Sequence, residues 1–335
     1  MPREAPSWWQ DDAGLWPRLL APLGHLYGAG VAARFALTRP ARAGVPVICI
    51  GNPTVGGAGK TPTAIATAEI LASLGRRPFF LSRGYGGRTR GPHTVDPGTD
   101  TAAKVGDEPL LLARTAPTVI ATKRALGACQ AVSNGADAIV MDDGFQNPGL
   151  AKDLSILVVD GETGIGNGRV LPAGPLRAPL AFQLERADAL VVVGEGSAAD
   201  PLVEAMGKRG KPTFRAKLTP AGDVAWAKDT ACVAFAGIGR PDKFFATLAT
   251  LGARIAEQHG FPDHHTYSEA DADALLRAAE AKAAPLVTTE KDWLRIDEST
   301  EALRHLKAQA RTLPVALRIE RQDDYAKLLR SVLDR

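Results

Sequence analysis

One run constrains this chain more than any other: GNPTVGGAGKTP (51–62), entered from the apolar VPVICI (45–50) and left through the helix-like TPTAIATAEILASLG (61–75). A β-rich segment, a glycine-rich turn, Gly-Lys-Thr and a helix, in that order, is what a phosphate-binding P-loop demands. Gly56, Gly57 and Gly59 let the backbone turn its N–H groups inward without Cβ clashes. A helix opening at Thr61 adds unpaired N–H groups and a positive dipole end. Lys60 can reach the β- and γ-phosphates, and the Thr61 hydroxyl can hold Mg²⁺. The expected ATP-binding set is therefore Thr54, Val55, Gly56, Gly57, Ala58, Gly59, Lys60 and Thr61. Thr54 departs from the general pattern, which has glycine there.

The rest of the chain supplies the sheet that such a loop needs. Apolar β-rich runs recur at 78–82, 118–121, 138–141, 155–159 and 189–193, with helix-like stretches at 61–74, 105–114 and 123–134. Short apolar strands alternating with helices argue for a parallel sheet covered on both faces. After 195 the rhythm breaks. Runs 213–218 and 224–228 suggest a two-stranded connector, followed by a second set of strands (232–236, 286–289, 315–319) and helices (242–251, 268–283, 322–333). The expected organisation is an N-terminal region (1–44), a P-loop core domain (45–215), and a smaller C-terminal α/β domain with its hinge (216–335).

Acidic residues then mark the metal side. AIVMDDGFQ (138–146) is an apolar strand ending in acid, the arrangement that holds Mg²⁺ beside a P-loop. Strand alternation would send Asp142 and Asp143 to opposite sides, and Gln146 could hold a metal-bound water. In KVGDEP (104–109), Asp107 or Glu108 could accept a hydroxyl proton, but Asp107 equally suits a helix cap with Pro109 in the first turn. GFPDHHTY (260–267) lacks metal-ligand spacing, so a zinc site is not expected; Ser268 and Asp271 look like a helix start. A His on one domain facing an Asp on the other would make activity depend on domain closure. Loops 82–92 and 169–179 carry Arg83, Arg88, Arg169 and Arg177 among glycines and prolines, where guanidinium groups could grip a phosphorylated acceptor or simply be solvated. Lys291, in TTEKDW (288–293), could approach a nucleotide or sit in an exposed turn.

Composition narrows the partners. Forty Lys and Arg against 37 Asp and Glu leave only +3, which does not indicate nucleic-acid binding. Cys49, Cys129 and Cys232 form no C-x-x-C pair, so neither a disulfide framework nor a zinc cluster is expected. The start, with Glu4, Asp11 and Asp12, shows no secretory leader. Residues 19–33 form the longest early uncharged stretch, too short to span a bilayer. Leu15, Leu19, Leu20, Leu23, Leu26 and Tyr27 nevertheless build one apolar helical face, with Arg18, Arg34 and three tryptophans nearby and Pro22 set to kink it. Such a face either packs on the core or lies in a membrane interface.

Together these motifs resemble one family, the tetraacyldisaccharide 4′-kinases, the lipid A kinases of Gram-negative bacteria. The resemblance rests on GNPTVGGAGKTP (51–62), SRGYGG (82–87), GDEP (106–109), DDGFQ (142–146), LPAGPLR (171–177), FAGIGRPDKFF (235–245), FPDHH (261–265) and TTEKD (288–292), and it covers nearly the whole chain. Thr54 fits the family, whereas Ala178 stands where the family often has Glu. The resemblance implies a P-loop NTPase-like parallel sheet domain and a smaller α/β domain on a two-stranded hinge. It implies ATP-dependent, Mg²⁺-assisted phosphorylation of a membrane glycolipid, a tetraacyldisaccharide 1-phosphate, giving lipid IVA. It implies an N-terminal helix seated on the cytoplasmic face of the inner membrane, with no obligate protein partner. Its catalytic Asp–His dyad maps to Asp107 and His264, beside Lys60; by motif position His264 precedes the alternative His265. The metal set becomes Thr61, Glu108, Asp142, Asp143 and Gln146, and Arg83, Arg88, Arg169 and Arg177 face the acceptor.

Overall fold

A computed structural model describes residues 6–10 and 14–333; Glu4, Asp11 and Asp12 lie outside them. In chain order the first part comprises α1 (Leu15–Leu37), β1 (Val47–Gly51), α2 (Lys60–Ser73), β2 (Pro78–Ser82), β3 (His93–Thr94), α3 (Ala102–Val105), α4 (Asp107–Ala113), β4 (Thr118–Ile120), α5 (Arg124–Ser133), β5 (Ala138–Asp142), β6 (Leu154–Asp160), α6 (Leu180–Arg186), β7 (Ala189–Val193), α7 (Asp200–Gly207) and β8 (Thr213–Pro220). Then follow β9 (Ala231–Ala236), α8 (Pro241–Thr250), β10 (Arg254–Gly260), α9 (Glu269–Lys282), β11 (Leu286–Thr289), α10 (Glu290–Arg295), α11 (Glu301–Gln309), β12 (Arg311–Leu313), β13 (Val315–Ile319) and α12 (Gln322–Leu333).

A nine-stranded sheet runs β13-β8-β7-β6-β1-β5-β2-β4-β3, parallel except at its two edges, where β13 and β3 pair antiparallel. Its central strands are buried on both faces, which is why they read as continuous apolar runs. Alternation along β1 shows the two-sided core: Ile48 and Ile50 pack under α2 and α12, whereas Val47 and Cys49 face the opposite layer. A second, four-stranded parallel sheet runs β10-β9-β11-β12. Ser268 caps α9 through a reciprocal bond with Asp271, as the sequence pattern predicts.

Three local expectations change. The run 224–228 does not pair with 213–218; residues 225–227 form a single 3₁₀ turn, and Trp226 packs with the smaller sheet. The partner of β8 is β13, with Leu317 opposite Leu218, so the chain crosses between sheets on β8 and returns on β13. The end of the expected 216–335 unit therefore belongs to the large sheet. There Tyr325, Leu329 and Val332 of α12 sit in the same core as Ile48 and Phe80. The helix expected over 105–114 is split at Gly106, whose φ of +95° and closeness to the Tyr85 carbonyl stop α3 and restart the chain as α4.

The structure also decides how α1 sits. Its packed face is made of Pro17, Gly24 and Gly28. A Cβ on Gly24 would stand 2.8 Å from the Val170 carbonyl, and one on Gly28 would stand 2.9 Å from Pro179. The leucine stripe faces outward, with Leu15 69%, Leu19 59%, Leu23 53% and Leu26 71% exposed. Core packing of that stripe is thereby excluded. The helix continues through Pro22, which is exposed, so the Arg18 carbonyl it leaves unbonded lies on the outer side. Among the described residues no helix is long and apolar enough to cross a membrane.

Candidate active site

The site forms at the carboxyl ends of the parallel strands, where open α/β sheets present their loops. β1 delivers the chain to Gly51, where a Cβ would stand 2.4 Å from Phe145 Cβ, so only glycine passes between the two turns. Gly59, at φ +89°, caps α2 in the left-handed region. The Val55 amide donates to the Pro175 carbonyl at 2.9 Å and the Arg177 amide to Pro53 at 2.8 Å. Val55 is thus committed to the protein, which removes its N–H from the expected phosphate-binding set. Among the described residues, the amides of Gly56, Gly57, Ala58, Gly59, Lys60 and Thr61 donate to no protein acceptor. That cradle, at the N-terminus of α2, suits the oxygens of a triphosphate.

Asp142 ends β5, fully buried, and the Thr61 hydroxyl donates to its Oδ2 at 3.3 Å. Its Oδ1 is buried without a partner. Burial, reinforced by the charges of Glu108 and Asp143, pushes the Asp142 carboxyl up to about 7. Asp143 does not continue the strand. It takes φ +51°, so strand alternation stops at Asp142, and its carboxylate swings to Arg177 at 2.6 Å and Lys60 at 4.0 Å. Both aspartates therefore reach the P-loop side instead of opposite faces. Burial lowers the Lys60 ammonium, against the pull of Asp143. Gln146 donates to the Asn52 carbonyl at 3.0 Å and accepts from Arg177 at 3.4 Å, so it braces the P-loop.

An orphaned buried carboxylate oxygen beside a hydroxyl is an oxygen-only donor set, which fits a hard cation such as Mg²⁺. Among the described residues no group of three or more His, Cys, Asp or Glu could hold a metal.

Within electrostatic reach of Lys60 and Asp142 lies the acidic start of α4. The helix is capped by Gly106, and Asp107 makes no side-chain cap bond, so the capping explanation of Asp107 is set aside. Its buried carboxylate instead meets Arg295 (Nε at 2.8 Å) and lies 3.7 Å from His264 Nδ1, an ion-pair distance too long for a hydrogen bond. Burial alone would raise Asp107, but His264, Arg295 and Lys291 hold it well below the usual carboxylate range. The Asp107 carboxylate in turn lifts His264 above the ordinary imidazole value, against its partial burial. His264 has φ +58°, a conformation disfavoured for a side-chain-bearing residue, and Tyr85 of the 82–92 loop sits edge-on to its ring at 5.7 Å. His265 turns away to Asp271 at 3.1 Å and stacks on Phe261, which leaves His264 as the residue beside Asp107. Glu108 pairs with Lys291 at 2.8 Å, and that pairing lowers it. Lys291 is therefore neither a solvated turn residue nor an open nucleotide contact.

The four arginines divide. Arg83 and Arg88 are exposed on the loop that carries Tyr85. Arg177 is held by Asp143. Arg169 is half-buried, and its amide donates to Asn167 at 3.0 Å. Ala178 is buried, and its carbonyl accepts from Gln183 at 2.8 Å.

Sequence reasoning missed two residues. Gln183, with no exposure, ties Pro53 of the P-loop to Ala178; a lone glutamine in LAFQLER gives no signal of burial. Arg295 has a fainter sign, since it lies one helical turn beyond Lys291.

Comparison with known proteins places this arrangement. A family profile described as tetraacyldisaccharide-1-P 4′-kinase matches residues 16–334. The tetraacyldisaccharide 4′-kinase of Nitrobacter winogradskyi is 50% identical over 329 residues, covering 98% of this chain and 96% of its own. That of Methylobacterium nodulans is 52% identical over 328 residues, covering 97% and 94%. The crystal structure of LpxK from Aquifex aeolicus in complex with ATP superposes with a TM-score of 0.75 at 27% identity, covering 95% of this chain and all of that one. The chain belongs to the tetraacyldisaccharide-1-P 4′-kinase family.

Proposed function

We infer that this enzyme transfers the γ-phosphate of ATP to the 4′-hydroxyl of a tetraacyldisaccharide 1-phosphate, giving lipid IVA in lipid A biosynthesis. Family membership supports the reaction. The observation that carries the assignment of residues is that the acidic start of α4, with Asp107 beside His264, lies close enough to the P-loop for the charge of Glu108 to act on Lys60 and Asp142.

Each residue then has a task. The free amides of 56–61 and the N-terminus of α2 bind phosphate oxygens, and Lys60 adds a point charge. Thr61 and Asp142 would hold Mg²⁺, with Asp143 tied to Lys60 and Arg177 beside them. When bound, the ion supplies charge neutralisation for the β- and γ-phosphate oxygens. Gln146 and Glu108 have protein partners and act as supports instead of ligands. The acceptor oxygen forms its bond to the γ-phosphorus as the bond from that phosphorus to the bridging oxygen breaks. Asp107 receives the hydroxyl proton, with His264 beside it at 3.7 Å. Arg83 and Arg88, exposed on the 82–92 loop, are assigned the phosphate already on the acceptor, and Arg177 and Arg169 the loop behind it.

The outward leucine stripe of α1, with Trp16 and Tyr27 beside it, supports a seat on the cytoplasmic face of the inner membrane without crossing it. No nucleic acid and no protein partner enters this reading. The test is transfer from radiolabelled ATP to glycolipid in mixed micelles. Lys60→Ala and Asp107→Asn are each expected to lower kcat by about 10²-fold or more while the fold survives. Normal turnover in either variant removes that residue from the mechanism.

A further inference from the structure

The dyad is assembled from two sheets, and one residue holds it together. Asp107 lies on α4 of the large domain, whereas His264 follows β10 of the smaller one. Arg295, at the end of α10, is nearly buried between them. Its anchor is built into the smaller domain: Nη1 donates to the Gly237 carbonyl at 2.5 Å and to Asp292 Oδ1 at 3.2 Å. Asp292 is wholly buried and is itself fixed by the Gly237 amide at 2.9 Å, the Tyr267 hydroxyl at 3.0 Å and the Thr289 hydroxyl at 2.6 Å. The far side of the guanidinium crosses to the large domain, where Nε at 2.8 Å and Nη2 at 2.5 Å both meet Oδ2 of Asp107. Among the described residues Oδ1 of Asp107 accepts no hydrogen bond and is left for a ligand.

The same Nη2 lies 3.3 Å from His264 Nδ1. A guanidinium only donates, so this contact is a hydrogen bond only when Nδ1 carries a lone pair, which leaves the proton of the neutral ring on Nε2. The Gly237 carbonyl also accepts the His264 amide at 3.1 Å, so Arg295 and the strained His264 backbone hang from one oxygen. One turn earlier on α10, Lys291 reaches Glu108, the neighbour of Asp107. A basic i, i+4 pair on α10 thus docks on an acidic i, i+1 pair on α4.

We propose that Arg295 is the positioning residue of the proton-accepting pair: it sets the docking of α10 on α4, turns Oδ1 of Asp107 toward the acceptor and fixes which nitrogen of His264 faces it. This rests on the Asp107–His264 reading. In a loose phosphoryl-transfer transition state the protein contributes chiefly placement, so a misplaced carboxylate is costly even when its charge is intact.

The experiment is a double-mutant cycle on the full chain with Mg²⁺–ATP and glycolipid in mixed micelles. Arg295→Gln lowers kcat by about 100-fold while KM for ATP stays within about twofold. Arg295→Lys keeps the charge but not the fork, and recovers about tenfold of that loss. In the Asp107→Asn background, Arg295→Gln lowers turnover by less than about threefold more, because the two act as one unit. Full activity in Arg295→Lys, or losses that multiply in the double variant, overturns the proposal. Arg295→Lys also decides the matter if Arg295→Gln does not fold, since wild-type kcat in the lysine variant shows that the fork is not needed. An active Asp107→Asn enzyme would instead sink the dyad itself, a separate result from an inactive Asp107→Asn with an active Arg295→Gln.

Discussion

Replacing Leu19, Leu23 and Leu26 together by Gln separates the two things an apolar helix face can do. All three point outward on α1, 59%, 53% and 71% exposed, so their unburied surface amounts to roughly two whole leucine side chains. Burying a leucine is worth about 1.5–3 kcal/mol, so seating this stripe in a membrane interface gains about 3–5 kcal/mol. The triple variant should therefore partition to vesicles of phosphatidylethanolamine and phosphatidylglycerol at least about a hundredfold more weakly, at 1.36 kcal/mol per decade. Folding stability should barely change. Leu and Gln have similar helix propensities, and exposed substitutions typically fall within about 0.5 kcal/mol, or about 2 °C in Tm. The assay pairs vesicle co-sedimentation with thermal melting in the absence of lipid. A variant that melts many degrees lower yet sediments as before would mean that the stripe is packed and that the membrane argument is wrong.

Two further outcomes follow from buried groups. Asp142 is held up to about 7, first by burial and then by the charges of Glu108 and Asp143, so the folded protein keeps a proton that the unfolded chain releases. Stability of the nucleotide-free protein therefore falls as pH rises from about 4 to 7, and Asp142→Asn should raise Tm at pH 8 but not at pH 4 while lowering Mg²⁺–ATP turnover. An unchanged Tm at pH 8 refutes the buried charge. In the core, Thr67 donates to the Thr63 carbonyl at 2.7 Å, so Tyr325 must donate to Thr67 at 2.8 Å. Tyr325→Phe should cost about 1 kcal/mol in denaturant unfolding of the large domain, and an unaltered midpoint would show that this hydrogen bond adds nothing to its stability.

What the sequence makes legible is local. Strand, glycine turn and helix around 45–75 announce themselves because each residue's conformational preference agrees with its neighbours'. The runs 315–319 and 322–333 are recognisable as a strand and a helix, but nothing in them says which sheet they join. Pairing with β8 is decided by Leu317 and Ile319 finding the large core, a long-range event. The Asp107 ambiguity has the same origin. A carboxylate after glycine at a helix start suits a cap in any isolated peptide, and only Arg295, 188 residues away, draws it elsewhere. Gly106 did carry a warning, since glycine inside a helical pattern often marks a break.

The 169–179 loop ties the outward-facing helix α1 to the P-loop. Its carbonyl at Val170 and its Pro179 ring receive the glycine face of α1. Its main chain joins the P-loop at Pro53 and Val55, and its Arg177 holds Asp143. Residues 7–9 add a second strut, with the Trp9 indole donating to Pro172 at 3.2 Å and Asn167 donating to the Trp8 carbonyl at 2.9 Å. On the proposed membrane seat of α1, the distance from the lipid surface to the P-loop would be set largely by main-chain packing, which would keep a lipid-borne hydroxyl at a fixed reach from the phosphates. His264 and Arg295 come from the other sheet, on the far side of the β8–β13 crossing. A swing of the smaller domain would leave α1 and its strut in place, since none of these contacts between helix and P-loop involves the second sheet.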